Sequence, residues 1–184
     1  MGVRLEMILE KEFEAFGVKY RTKQFSAARG VELLFRSDDI YPTEYLEKTE
    51  VIFEATKKKS EWLALSDASN IDRGVIDKQK ILRPRVVLEG LIAVVYDYSF
   101  GFLKKWEGVK VPRRFLSDAK SVSTEYTDPL IAQLIQEDYA SLRELEEYYS
   151  LEDAFRMFDI MTAKGVNAAY QHEQAERESK SKAR

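Results

Sequence analysis

The chain has 184 residues, 45% hydrophobic and 33% charged, with 29 basic against 32 acidic side chains and a net charge of -3. That apolar content is enough to bury a core and excludes wholesale disorder, and the charge balance lacks the dominant basic field of a nucleic-acid binder. Without cysteine there is no disulfide framework, thiolate zinc site or cysteine nucleophile, and a catalytic triad or His-containing metal site would have only His172 to draw on.

The opening residues, MGVRLEMILEKEF, do not read as a signal peptide, because Glu6 and Glu10 interrupt them before an apolar run develops. Residues 12–24 predict a β-hairpin. Phe13, Phe16, Val18 and Tyr20 surround Gly17, which suits a tight turn. Beyond it Val18, Tyr20 and Thr22 alternate with Lys19, Arg21 and Lys23, giving one packed and one wet face. Ser26 then caps a helix over 27–36 with Val31, Leu34 and Phe35 as its apolar stripe. After the break at 37–39, Pro42 and Thr43 open a second helix. Its inner face is Leu46, Thr49, Ile52 and Phe53, and Lys57, Lys58 and Lys59 lie near its end, where cations favour the helix dipole. The polar stretch 66–77 reads as a loop.

Pro84 starts a helix running to about residue 106. Its apolar residues cover nearly the whole circumference, which predicts the central, most buried helix. Glu89 and Asp97 would be costly inside a bilayer, so 86–103 reads as a core helix and not a membrane span. Gly90 and Gly101 predict a close approach or a break near 98–101. Residues 107–127 are irregular. Asp128-Pro129 restarts a helix, and Leu130, Ile131, Leu134, Ile135, Leu142 and Leu145 carry it as one amphipathic element to about residue 149. Ser150 with Asp153 forms a capping box for the last helix, whose inner stripe is Leu151, Phe155, Phe158, Met161 and Thr162. Residues 173–184 hold no large apolar side chain and are expected to fray into a charged, disordered tail. The fold expected is α+β, mainly α: one domain over 1–172, with a short N-terminal hairpin packed on a bundle of about five helices.

Catalytic signatures are absent: no GxxxxGK[ST], GxGxxG or HExxH occurs. The acid pairs Asp38-Asp39, Glu146-Glu147 and Glu152-Asp153 fit turns and helix starts, where carboxylates are favoured, better than a converging metal or acid–base site. His172, between Gln171 and Glu173, reads as a surface residue, and Ser123, in VSTEY, lacks the glycines of a nucleophile elbow. The runs Lys57 to Lys59, Lys104-Lys105 and Arg113-Arg114, with Trp62, Trp106 and Phe115 nearby, could clamp a single strand. The acidic total favours helix-end charge and ordinary surface instead. No catalytic residue, cofactor or metal is expected. The aromatic stripe Tyr139, Tyr148, Tyr149, Phe155 and Phe158 fits either a core or a partner groove.

Residues 13–34, FEAFGVKYRTKQFSAARGVELL, give a strand, a glycine turn, a strand of the form K-Y-R-T and a helix with basic and apolar residues. Residues 149–173, YSLEDAFRMFDIMTAKGVNAAYQHE, give an S-L-E-D-A start and a long closing helix. Together they resemble the tail assembly chaperones of tailed bacteriophages. The resemblance implies a protein that acts in the host-cell cytoplasm during tail morphogenesis. Such a protein binds the tape-measure protein, keeps it soluble, helps recruit tail-tube protein along it, and is absent from the finished virion. In that family a frameshift often yields a second, longer product, and the end at 179–184 would suit the short form. The role expected is binding, not catalysis, with no membrane. The contacts expected lie on the last two helices, at Tyr139, Leu142, Tyr148, Phe155 and Phe158. The alternatives are a structural particle protein retained in the virion and a nucleic-acid-binding regulatory module using the basic runs.

Overall fold

Two residues close the first hairpin. β1 (Glu10–Ala15) and β2 (Val18–Lys23) pair antiparallel across a turn in which Phe16 (φ 55°) and Gly17 (φ 75°) both take left-handed backbone. Twisted strands favour this geometry. Glycine adopts it freely, whereas a bulky residue there is strained. Packing holds Phe16 in place: its ring lies on Gly90, where an added Cβ would come within 2.7 Å of the ring carbon Cζ. The alternation of β2 is as expected, with Val18, Tyr20 and Thr22 buried. On the other face Lys19, Arg21 and Lys23 stand opposite Glu14, Glu12 and Glu10, three cross-strand pairs of opposite charge. The computed structural model describes residues 8–36, 38–56, 59–116, 124 and 126–182.

The sheet is larger than the sequence suggests. Only Pro42–Tyr45 is helical in the next segment (α2). The expected long helix is replaced by a second hairpin, β3 (Thr49–Thr56) and β4 (Lys59–Ala64), which completes an antiparallel sheet in the order β1-β2-β3-β4. Leu46, Thr49, Ile52 and Phe53 fit helical spacing, but Thr49 and Val51 also alternate inward, and β-branched side chains favour the pleated alternative. Thr22 and Thr49 share a buried hydroxyl–hydroxyl hydrogen bond of 2.9 Å across β2 and β3. Lys57 and Lys58 lie outside the described residues. The expected loop at 66–77 contains a short helix, α3 (Ala68–Gly74), whose N-cap Asp67 accepts the Asn70 amide at 2.9 Å. Only Ile71 and Gly74 of that helix are buried, so it has no apolar stripe to announce it.

α4 (Pro84–Phe100) gives way to a 3-10 turn at Gly101–Lys104, the break that Gly101 foreshadowed. By length and composition alone 84–104 could cross a membrane. In the fold α4 is a spine between two cores. Val87, Leu91 and Val95 join Tyr20, Leu46, Val51 and Leu65 beneath the sheet, and Phe100 joins a second core with Phe25, Val31, Leu33, Leu134, Leu145 and Leu151. The expectation of burial all round is corrected: Val86 and Tyr96 are exposed, because a helix serving two cores from one side leaves its outer face to solvent.

The second core is built by α1 (Ala27–Phe35) and the C-terminal helices. The single helix expected over 128–149 is two, α5 (Pro129–Gln136) and α6 (Leu142–Glu147). Asp138 takes left-handed backbone (φ 56°) after α5, and Ser141 restarts the chain through a capping box with Glu144. α7 (Leu151–Lys182) begins as predicted, with the Ser150 amide and hydroxyl donating to Asp153 and the Asp153 amide returning to Ser150. It then continues as helix to Lys182 through the stretch expected to fray. α1 meets α7 closely: the Ala27 amide donates to the Tyr149 carbonyl at 2.8 Å, and Gly30 lies on Leu151. The stripe of α1 is Ala27, Val31 and Leu33, and Phe35 points away from it, 65% exposed.

Tyr20 anchors the first core. Its hydroxyl donates to the Gly74 carbonyl at 3.1 Å, and burial pushes its pKa up to about 12. A raised folded-state pKa contributes stability that is complete below the unfolded value near 10 and is lost as pH rises toward 12. Between pH 10 and 12 the wild type is expected to lose about 2–3 kcal/mol more than Tyr20→Phe. Urea titrations across that range measure the difference.

Candidate functional site: an apolar cleft on the helical core

Four segments distant in sequence converge on one open cleft of about 360 Å³. Its lining is Phe35 from the end of α1, Trp106 beyond the 3-10 turn, Asp128, Pro129, Leu130 and Gln133 from the start of α5, and Phe155 and Phe158 from α7. Each is positioned by a local cause. Asp128 caps α5 by accepting the Leu130 amide at 2.8 Å, which fixes Pro129 and Leu130 at the lip. Phe155 and Phe158 are i, i+3 neighbours on α7. Phe155 is 8% exposed and sits between the rings of Phe102 (centroids 5.5 Å) and Trp106 (4.6 Å), both edge-on.

Trp106 is fixed at both ends. Its ring packs on Phe155 and its indole N–H donates to Asp159 Oδ2 at 2.8 Å. The other Asp159 oxygen accepts the Val109 amide at 3.2 Å. Further along α7, Arg114 pairs with Glu173 at 2.8 Å and stacks on Phe115 and Tyr170. That ion pair holds the Glu173 carboxyl below its usual range. The segment after the 3-10 turn, which includes a second 3-10 turn at Arg113–Phe115, is thereby tied to α7, and these contacts hold Trp106 in one wall of the cleft.

Among the described residues Asp128 is the one titratable side chain in the lining. The volume is at the small end for a ligand pocket and matches two or three apolar side chains of a partner. Among the described residues no group of three or more His, Asp or Glu side chains is arranged to hold a metal ion.

Of the five residues singled out in the sequence, the cleft unites Phe155 and Phe158. Tyr139 is half-buried against the second core, and Tyr148 is half-buried with its ring edge-on to Tyr149 at 5.0 Å. Leu142 is 47% exposed on α6 and lines no part of the cleft. Sequence reasoning missed Phe35, Trp106 and the α5 residues as cleft partners. Asp128-Pro129 was legible as a helix start, but nothing along the chain places that start beside α1. Elsewhere His172 is exposed beside Glu176, Lys104 pairs with Asp97, and Trp62 stacks under Arg21. Ser123 lies outside the described residues.

The two stretches that carry the phage-chaperone resemblance meet in the fold. An isolated β-bridge joins Ser26 to Ser150, beside the Ala27–Tyr149 hydrogen bond. The chain matches no protein-family model, and no curated protein or solved structure is significantly similar to it.

Proposed function

We propose that the protein is a tail assembly chaperone of a tailed bacteriophage. It binds apolar helical segments of the tape-measure protein, keeps that protein soluble in the host cytoplasm and helps recruit tail-tube subunits, by binding and not by catalysis. The observation that supports this reading most is the open cleft, which is apolar except at one edge and carries an exposed Phe35 on its rim. An amphipathic helix docks on such a groove through side chains at i, i+3 and i+4. A tape measure presents many such stripes before the tail tube encloses it. Of the two resembling stretches, 149–173 supplies Phe155 and Phe158 to the cleft, and 13–34 ends one residue before Phe35.

The test is co-expression with the large helix-rich protein encoded downstream of this chain, followed by affinity capture. Wild type is expected to co-purify with that partner and to raise its soluble fraction. Phe35→Glu should weaken capture at least tenfold, by roughly the loss of one aromatic anchor, while the circular dichroism spectrum stays unchanged. If the folded wild type neither captures nor solubilises the partner, the tape-measure role is wrong. Recovery of the chain from purified particles would assign it a structural role instead.

A further inference from the structure

Residues 78–86, KQKILRPRV, are exposed without a break between the half-buried Asp77 and the buried Val87. They join α3 to α4 and form the first turn of α4. Local hydrogen bonds give the loop a fixed frame. Asp77 Oδ1 accepts the Gln79 amide at 3.0 Å, and Oδ2 accepts the Ile81 and Leu82 amides, each at 2.9 Å. The Lys78 amide donates to the Phe16 carbonyl at 3.2 Å, which ties the loop to the first hairpin turn. Lys80 is held at φ 57°, a backbone conformation that a lysine rarely adopts.

Two kinds of side chain share this stretch. Ile81 is 76% exposed, and Ile76, Leu82 and Val86 are exposed with it. Interleaved with them stand Lys78, Lys80, Arg83 and Arg85. The first three have no ion-pair partner among the described residues, and Arg85 pairs with Glu89 of its own helix at 2.7 Å. Asp77 is the only acidic side chain in 76–86, and its carboxylate is taken up by the three loop amides. A chain of net charge -3 thus gathers positive charge around aliphatic groups on one short loop.

An anionic lipid surface matches both halves of that pattern. Its headgroups carry the opposite charge, and the acyl boundary just beneath them accepts aliphatic side chains. Lysine and arginine stems can lie along that boundary with their charged ends at the headgroups. A nucleic acid would answer the charges alone. No aromatic residue occurs in 76–89 to stack on a base, and the aliphatic groups would stay in water. A helical protein segment needs a groove, and no residue of 76–86 lines the cleft.

We propose that the 76–86 loop docks the protein peripherally on an anionic lipid surface. Ile81 and Leu82 enter the acyl boundary, and Lys78, Lys80, Arg83 and Arg85 meet the headgroup phosphates. α4 keeps its place between the two cores, so the contact is with the bilayer surface and is not a span. Without an interfacial tryptophan or tyrosine the attachment is reversible and depends on lipid charge and on salt. It does not rest on the tape-measure reading, because it concerns the isolated chain.

Flotation of the purified full chain with vesicles tests it. At low salt the chain should rise with vesicles of phosphatidylcholine mixed with phosphatidylglycerol, stay behind with phosphatidylcholine alone, and be released from the mixed vesicles by high salt. Lys80→Glu/Arg83→Glu should weaken binding roughly tenfold or more. Ile81→Ser/Leu82→Ser keeps every charge and should also weaken it severalfold. Circular dichroism checks each fold, and Lys80→Gln/Arg83→Gln replaces the charge reversal if that variant misfolds. Four results would overturn the proposal: no flotation with anionic vesicles, equal flotation with neutral ones, binding indifferent to either pair of substitutions, or preference for a random-sequence oligonucleotide that strips the chain from the vesicles.

Discussion

Truncation of Phe155 to alanine is expected to destabilise the protein by about 3–5 kcal/mol, the usual range for removing a buried aromatic side chain. Phe155 is almost fully buried and touches Phe102 and Trp106, so its loss opens a void beneath both rings. Trp106 would retain its hydrogen bond to Asp159 but lose the surface it rests on. Since whole domains are stable by about 5–15 kcal/mol, this one change consumes a large share of the total. The midpoint of urea denaturation should fall sharply with little change in slope. A loss of less than about 1 kcal/mol would mean that the second core repacks around the gap. The practical corollary concerns binding studies. A Phe155 variant that fails to capture a partner reports on folding, whereas Phe35, exposed at the rim, reports on the cleft.

Gly30→Ala should cost about 1–3 kcal/mol, even though alanine favours a helix over glycine by roughly 1 kcal/mol. The added Cβ would sit 2.9 Å from Leu151 Cβ, and neither atom is the mobile end of a long side chain. Relief requires α1 and α7 to part, and the Ala27–Tyr149 hydrogen bond and the Ser26–Ser150 bridge resist that. Gly30→Val should be worse than Gly30→Ala, and thermal denaturation of the pair checks the order. If Gly30→Ala were neutral or stabilising, the close approach of these helices would be soft and propensity would prevail. The contrast is Gly165, which has open space around it in the exposed part of α7, and where alanine meets nothing.

Much of the architecture was legible because local signals agreed with one another. Gly17 with the alternation of Val18, Tyr20 and Thr22 marked the first hairpin, Asp128-Pro129 marked the start of α5, and Ser150 with Asp153 marked the start of α7. The failures came where two periods fitted the same residues. Leu46, Thr49 and Phe53 satisfy helical spacing, while Thr49, Val51 and Phe53 satisfy a strand, and only the β-branched content argues for the strand that forms. The break between α5 and α6 was written in Ser141 and Glu144, but the apolar residues on either side kept one continuous helical rhythm. The cleft was not legible at all. It exists because α1, the segment after α4, α5 and α7 come together in three dimensions, and no periodicity encodes that meeting.

The two cores also differ in when they can form. The core beneath the sheet uses residues from Val18 to Val95, which emerge from the ribosome in one run. The second core draws Phe25, Val31 and Leu33 from near the start and Leu145, Leu151 and Phe155 from near the end. During synthesis α1 must wait for roughly 110 further residues before α6 exists to cover it. At about 5–20 residues per second that wait is on the order of 5–20 s. Until then the nascent chain displays the apolar stripe of α1 without α6 and α7 to cover it, and in the later part of the wait, once Val95 has emerged, it does so beside a sheet whose own core is complete. Any truncation before α6 makes that interim state permanent, and such fragments should be recovered from inclusion bodies.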